Sequence, residues 1–299
     1  MNTSKPTYCG YVAIIGRPNV GKSTLLNRLV GEKVSITSNK PQTTRHRLLG
    51  IETTDNIQIV YVDTPGLHLG EKRALNKSMN KAVKAALGDV DIVVAVFSGP
   101  KLTADDKAVI QRVERSGHPV ILVLNKIDKV KDKTQLLPRL GNLSQELAAH
   151  AVIPLSAKTG ENVDALKQTL IPLLPESPHF FAADDLTDRS VKFLLAEMIR
   201  EKIFRLTGEE IPHFSTVLIE GMELKNKIYH INAVILVERD GQKNILIGKA
   251  GEKMKAIGTQ ARMDMETLLE HKVFLNLWVK VKSGWSDSTA TLRDLGYTD

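Results

Sequence analysis

The stretch that most constrains this chain is YVAIIGRPNVGKSTLLNRLV, residues 11–30. It opens on a β-branched apolar run, breaks at a glycine-rich turn, and continues with leucines at helical spacing. Gly16-Arg17-Pro18-Asn19-Val20-Gly21-Lys22-Ser23 fits GxxxxGK[ST], and it sits between a predicted strand and a predicted helix, the context the motif requires. Glycines let backbone N–H groups turn toward phosphate oxygens, and the helix N-terminus adds a favourable dipole. Lys22 then bridges phosphates, and Ser23, followed by Thr24, reaches a magnesium ion. A chain built around this unit is expected to be α/β.

The rest of the first 170 residues agrees. YVAII, IQIVYVD, DIVVAVF, PVILVLN and AVIPLS alternate with segments of helical periodicity, which reads as a parallel sheet covered by helices. RLLGIETTD and NIQIVYVD, turning at Asp55-Asn56, read instead as an antiparallel hairpin, so the sheet is mixed. At 299 residues the chain suits two domains. Two prolines and an acidic patch interrupt the periodicity in PESPHFFAADDLTD, placing a nucleotide-binding domain at 1–174, a linker at 175–186 and a second domain at 187–299. That second domain reads as α+β: a helix in DRSVKFLLAEMIREKIFRL, strands in STVLIE, IYHINAVILVER and VFLNLWVKVK, and a helix ending at METLLEH.

No apolar run approaches the roughly 20 residues that span a bilayer. The first residues lack an export signal and Cys9 is a lone cysteine, both pointing to the cytosol. The eight histidines show no metal-binding spacing. A net charge of +7 suggests a polyanionic partner. Its distribution is uneven: residues 1–179 carry 24 Lys+Arg against 16 Asp+Glu, the remainder 17 against 18.

Three further motifs follow at predicted strand ends, where open α/β sheets bind ligands. Asp63-Thr64-Pro65-Gly66 offers a carboxylate to hold Mg²⁺ through water and a glycine N–H toward a γ-phosphate. Asn125-Lys126-Ile127-Asp128 offers a carboxylate that accepts from guanine N1–H and the exocyclic amine, a pair adenine does not present, so GTP is expected over ATP. Ser156-Ala157-Lys158 brings its backbone against the base. In the second domain, Ile247-Gly248-Lys249-Ala250-Gly251 is a GxxG turn followed by Met254, Ile257, Ala261 and Met265 at helical spacing. Lys243, Lys249, Lys253, Lys255 and Arg262 face only Glu252 between residues 243 and 263, making the patch basic although its domain is not. Core packing is expected for Trp278, and Trp285 is left open between packing and stacking on bases.

The four motifs in order resemble the translation-factor-related GTPases, and the GxxG turn resembles a type II KH domain, in which the turn clamps a single-stranded backbone. Together they resemble the Era-like GTPase family over nearly the whole chain. The resemblance implies a Ras-like P-loop GTPase domain followed by a KH domain. It makes 39–45 the first switch loop, with Thr44, or Thr43 beside it, closing on Mg²⁺. Leu67 stands where many GTPases carry a water-positioning glutamine. Asn19 is the residue that potassium-using members carry, so Asn19, Lys22 and Thr44 are the candidate catalytic residues, with K⁺ as a second cation. GTP turnover is expected to be slow without help, on the order of 10⁻⁴ to 10⁻² s⁻¹. The resemblance also implies a cytoplasmic, monomeric factor that binds the 3′ end of 16S rRNA through Ile247 to Gly251, Lys253 and Lys255 and assists 30S maturation. Two alternatives are an RNA-binding module merely ordered by GTP and a GTPase subunit of an RNA-modifying complex. It favours a short helix over a hairpin turn at Asp240-Gly241. The segment 70–89, with Leu75, Met79, Val83 and Ala86 on one face and Lys72, Lys77, Lys81 and Lys84 on others, is expected as a helix docked on the sheet. RNA contact, or weak association with the inner face of the membrane, stays open for its basic side.

Overall fold

The apolar runs become strands in the order the sequence predicts. β1 (Tyr8–Ile15), β2 (Leu48–Thr54), β3 (Ile57–Asp63), β4 (Ile92–Ser98), β5 (Val120–Asn125) and β6 (Ala151–Pro154) form one sheet in the order β2-β3-β1-β4-β5-β6. A computed structural model describes residues 5–40, 43–66, 79, 84–85, 87–99, 101–146, 148–208, 210–288 and 292. Only β2–β3 is antiparallel, closed by Asp55 in the left-handed region at φ 49°. β4 and β5 are buried along their whole length, as a strand covered on both faces must be. α1 (Lys22–Val30), α2 (Ala104–Glu114), α3 (Leu136–Glu146) and α4 (Val163–Leu170) fill the connections. Most of the helix expected over 70–89, and Leu67 before it, lie outside the described residues; Met79 is buried and Lys84 exposed.

Two compact units are present. The segment 175–186, expected as the linker, runs along the first of them. Cys9 N–H donates to Pro175 O at 3.2 Å, Ser177 N–H to Thr7 O at 3.0 Å and Ile51 N–H to Leu186 O at 2.9 Å. The wholly buried Gln58 accepts from the N–H groups of Phe180 and Phe181 at 2.8 and 3.0 Å, and Phe180 stacks on Tyr11 with centroids 5.2 Å apart. The strap is thus pinned by partners far away in sequence.

The second unit carries α5 (Val191–Leu206), started by Ser190, whose hydroxyl accepts from Phe193 N–H at 3.3 Å. β7 (Ser215–Lys225) and β8 (Ile228–Val237) pair antiparallel with a bulge between Ile219 and Gly221, and β9 (Lys272–Val281) runs parallel to β8. α6 (Asp240–Ile247) is the short helix, so Asp240-Gly241 is no hairpin turn. α7 (Glu252–Leu269) buries Ile257, Ala261 and Met265 completely against the sheet. Trp285 is the core tryptophan, fully buried with its indole N–H on Phe214 O at 3.2 Å, whereas Trp278 is half-buried on β9. The expectation for Trp278 is corrected: on β9 it alternates with the core residues Val273 and Val279 and falls on the other face. The same unit includes residues 36–40 and 43. There the buried Glu201 of α5 accepts from Thr37 N–H at 3.0 Å.

Candidate functional site

The first site is assembled at the C-terminal ends of β1, β3, β5 and β6. The loop after β1 turns through two left-handed residues, Asn19 at φ 63° and Gly21 at φ 103°. Gly21 has a second constraint, since a Cβ there would lie 2.4 Å from Asn125 Nδ2. Lys22, at the first turn of α1, is 6 % exposed and folds back to donate to Gly16 O at 3.0 Å and Arg17 O at 3.1 Å. Burial lowers its pKa to about 8, against the pull of Asp63 and with a smaller push from Arg17.

Three hydroxyls converge on one carboxylate. Ser23 Oγ donates to Asp63 Oδ2 at 2.9 Å and meets Thr44 Oγ1 at 2.8 Å; Ser35 and Thr44 reach the same oxygen at 3.2 and 3.3 Å. Asp63 is fully buried and its Oδ1 has no hydrogen-bond partner. Burial raises its pKa, and Lys22 with the three hydroxyls only partly offsets that. A buried carboxylate oxygen without a donor, ringed by hydroxyl oxygens, suits a hard divalent cation such as Mg²⁺. Thr44 is the threonine in this cluster; the Thr43 hydroxyl instead donates to Lys40 O at 2.8 Å. Thr64 is buried with its hydroxyl on Ile14 O at 3.1 Å, and Pro65 and Gly66 follow it out of β3.

The base motif ties these loops together. Asn125 donates to Val20 O at 2.8 Å and accepts from Lys126 N–H at 2.7 Å and Ala157 N–H at 3.0 Å, joining three loops through one amide. Lys126, itself left-handed, donates its ammonium to Asn19 O. Its pKa is lowered, first by desolvation and then by Lys129 and Arg17. Asp128 is exposed and accepts from Ser156 Oγ at 2.7 Å, which orients it. Arg17 is held by the buried Asp106 at 3.0 Å and by Ser98 O at 2.9 Å.

Three residues here carry no motif. Arg28 of α1 donates to Lys158 O at 2.8 Å and Ala157 O at 3.4 Å, fixing the last loop from the helix side. Asn27 accepts from the N–H groups of Val34 and Ser35, and Ser35 adds the third hydroxyl on Asp63. No spacing rule points to them, because their partners are set by the fold.

In the second unit a groove of about 450 Å³ lies between α7 and β9. Ile247, Gly251 and Lys255 line it with Leu275 and Leu277, while Lys249 and Ala250 stand exposed at its mouth. Gly248 and Gly251 take φ 73° and 77° and Ala250 takes φ 51°, a costly choice for an alanine. Among the described residues no side chain caps the start of α7, which leaves its first N–H groups without a side-chain acceptor. Arg262 is less available than its sequence position suggests, being paired with Glu266 at 2.8 Å.

Residues 11–126 match the family model described as "50S ribosome-binding GTPase", and residues 210–286 match the model of the KH domain. GTPase Era of Pseudomonas fluorescens strain Pf0-1 is 54% identical over 299 residues, all of both chains. The chain belongs to the Era GTPase family. GTPase Era of Histophilus somni strain 129Pt is 52% identical over 99% of each chain. An Aquifex aeolicus Era variant bound to GDP.AlF4- superposes with TM-score 0.94 at 37% identity, covering 98% of this chain and 100% of that one. An Era in complex with MgGDPNP and nucleotides 1506–1542 of 16S ribosomal RNA does so with TM-score 0.94 at 38% identity and the same coverage. As an Era GTPase the chain has a Ras-like domain with a mostly parallel sheet and a C-terminal KH domain, and it converts GTP and water to GDP and phosphate.

Proposed function

We propose that this Era GTPase is a switch that binds the 3′ end of 16S rRNA through its KH groove and assists small-subunit assembly, with GTP setting when the RNA is held. The observation that carries the reading is the exposed, uncapped GxxG turn beside an apolar groove, on one chain with a complete set of GTPase loops. The solved Era complex with a 16S rRNA fragment supports the same partner. In this reading the nucleotide domain spans 1–174, the KH domain 187–299, and 175–186 connects them.

The chemistry follows from the residues. Gly16 to Ser23 and Thr24 cradle the phosphates. Lys22 exchanges the carbonyls of Gly16 and Arg17 for phosphate oxygens, whose negative charge stabilises its ammonium. Asp128 accepts from guanine, positioned by Ser156, while Ala157 and Lys158 close over the base. Ser23, Thr44 and, through water, Asp63 hold Mg²⁺, which when bound neutralises charge on the β- and γ-phosphates. Thr64 to Gly66 carry the backbone toward the γ-phosphate. Asn19 is the residue to hold K⁺ where an arginine finger would otherwise act. Asn19→Ala is expected to abolish potassium stimulation of turnover with GDP affinity kept; an unchanged potassium response rejects the role. The factor works as a cytoplasmic monomer, with weak association with the inner membrane face through the basic segment 70–89.

The test is the affinity of a 16S 3′-end oligonucleotide with GDP or a non-hydrolysable GTP analogue bound, at fixed salt. A tenfold difference is expected, equal to a coupling of about 1.4 kcal/mol. Lys249→Asp with Ala250→Asp is expected to remove RNA binding and leave GDP affinity unchanged. Retained binding places the RNA elsewhere.

A further inference from the structure

The positive excess of the chain lies wholly in residues 1–179, and the nucleotide loops account for little of it. Beyond Lys126, two adjoining cavities of about 600 and 400 Å³ open between the C-terminal ends of β4 and β5 and helices α2 and α3. Arg17, Lys126, Lys129, Lys131 and Arg139 line the larger; Lys101 and Lys107 line the smaller, and both share Ser98, Gly99, Leu124 and Arg139. The larger shares Arg17, Asn125 and Lys126 with the nucleotide loops but neither is lined by Ser23, Asp63, Asp128 or Ser156, so the trough adjoins the nucleotide site and extends beyond it through Lys129, Lys131 and Arg139.

Asp132 is the single carboxylate in these walls, and it is engaged by Thr134, accepting from its N–H at 3.0 Å and its hydroxyl at 2.7 Å. Asp106 neutralises Arg17 from behind. Lys101, Lys129, Lys131 and Arg139 make no ion pair or side-chain hydrogen bond among the described residues. The depressed Lys126 ammonium, with Lys129 and Arg17 among its causes, fits a wall of like charge. A pair of adjoining cavities lined by Arg17, Lys101, Lys107, Lys126, Lys129, Lys131 and Arg139 against the one carboxylate of Asp132 suits an extended polyanion. Its walls hold no exposed aromatic ring: Phe97 is 2 % exposed. Bases have nothing to stack on there, so what the walls recognise is backbone charge without sequence.

We propose that this trough on the GTP-binding unit is a second polyanion site, which takes the phosphate backbone of ribosomal RNA outside the segment held at the GxxG groove. That the polyanion is RNA rests on the reading above. The test uses the full chain with GDP bound and the triple variant Lys129→Glu, Lys131→Glu, Arg139→Glu. Two RNAs are compared between 50 and 200 mM salt: the short 3′-end oligonucleotide, and a longer 3′ fragment that extends further upstream. On the long RNA the variant is expected to lose tenfold or more in affinity at 100 mM salt. The slope of log K against log salt should become shallower by about 2, from roughly 0.7–0.9 per lost contact. Affinity for the short RNA and for GDP should stay within twofold. The milder Lys129→Ala, Arg139→Ala variant should show a smaller slope change in the same direction, which guards against a misfolded triple variant.

An unchanged affinity and slope on the long RNA overturns the site. So does an equal loss on both RNAs, which marks a diffuse field, or a loss confined to phosphatidylglycerol vesicles, which marks a lipid surface. A parallel loss of GDP affinity in both variants also overturns it, by merging the trough with the nucleotide pocket. If wild type fails to bind the short RNA while the long RNA remains sensitive to the triple variant, the trough stands and the GxxG reading falls.

Discussion

Both glycine turns of this Era GTPase open onto a helix N-terminus, yet they are built in opposite ways. At the first, Lys22 and Asp63 are buried, each with a pKa displaced by desolvation, and among the described residues side-chain hydrogen bonds tie the loop after β1 to Asp63 and to Asn125. At the second, Lys249 and Ala250 are exposed beside an open groove of about 450 Å³, and no side chain caps the turn. The first site holds charges in a low-dielectric frame before its ligand arrives, the arrangement that favours a charge-developing reaction. The second offers donors and apolar surface without a fixed network, which suits holding a strand and not transforming it. Chemistry and holding are thus separated by burial, although the backbone motif is nearly the same.

The sharpest way to break that contrast is Lys22→Ala. Removing one preorganised donor from a catalytic frame costs on the order of 10² to 10³ in rate. Single-turnover GTP hydrolysis should fall by at least about a hundredfold, while binding of the short RNA to the nucleotide-free protein stays unchanged. A drop of only a few fold would mean that the buried frame is a binding device like the other turn.

The contrast also explains what could be read in advance. The four nucleotide motifs and the GxxG turn are local: each needs only a strand end, a turn and a helix start, and the apolar runs fixed those. Ser35, Asn27 and Arg28 escaped because a serine or arginine on a helix or loop has no local mark until a partner far along the chain meets it. The strap at 175–188 escaped for a related reason. Its prolines and acids look like a free connection, but one buried side chain, Gln58, and a few backbone carbonyls hold it against β1 and β3. Trp278 shows the remaining limit, since alternation along a strand does not say which face becomes core until the helices are placed.

A second, smaller effect is expected with pH. In the nucleotide-free protein the Lys22 pKa is lowered to about 8, below its unfolded value of about 10.4. Below pH 8 the ammonium is charged in both folded and unfolded chains, and its burial costs stability. As pH rises through 8 the folded protein releases the proton first, so this cost shrinks and stability rises with pH up to the unfolded value. Phosphate oxygens reverse the preference by holding the charged form, so GDP binding must take up a proton above pH 8. GDP affinity is expected to fall above that point with a slope approaching tenfold per pH unit, and the Lys22→Ala protein should show no break there. Titration calorimetry in two buffers of different ionisation heat reads the uptake directly. The short RNA is not linked to Lys22 and should show no break near pH 8; a shared break would mean the two turns are not electrostatically separate.

The smallest expected effect concerns how the frame is held. Arg28 spans 130 residues of sequence to donate to Lys158 O at 2.8 Å and more weakly to Ala157 O. Its removal frees the exposed Lys158 carbonyl and the longer, part-buried contact to Ala157 O, so the cost is that of ordinary hydrogen bonds and not of an orphaned buried charge, about 0.5–1.5 kcal/mol. Arg28→Ala should therefore weaken GDP by roughly two- to tenfold. The change should appear in the release rate, because the loop folds over a base already bound, while association, steered by phosphate and Lys22, keeps its rate. Arg28→Lys should recover only part, since one ammonium cannot reproduce the two-pronged contact. Stopped-flow displacement of a fluorescent GDP separates the two rates. An unchanged release rate would show that Asn125, through Ala157 N–H, holds the loop unaided, and the nucleotide frame would then need no anchor from α1.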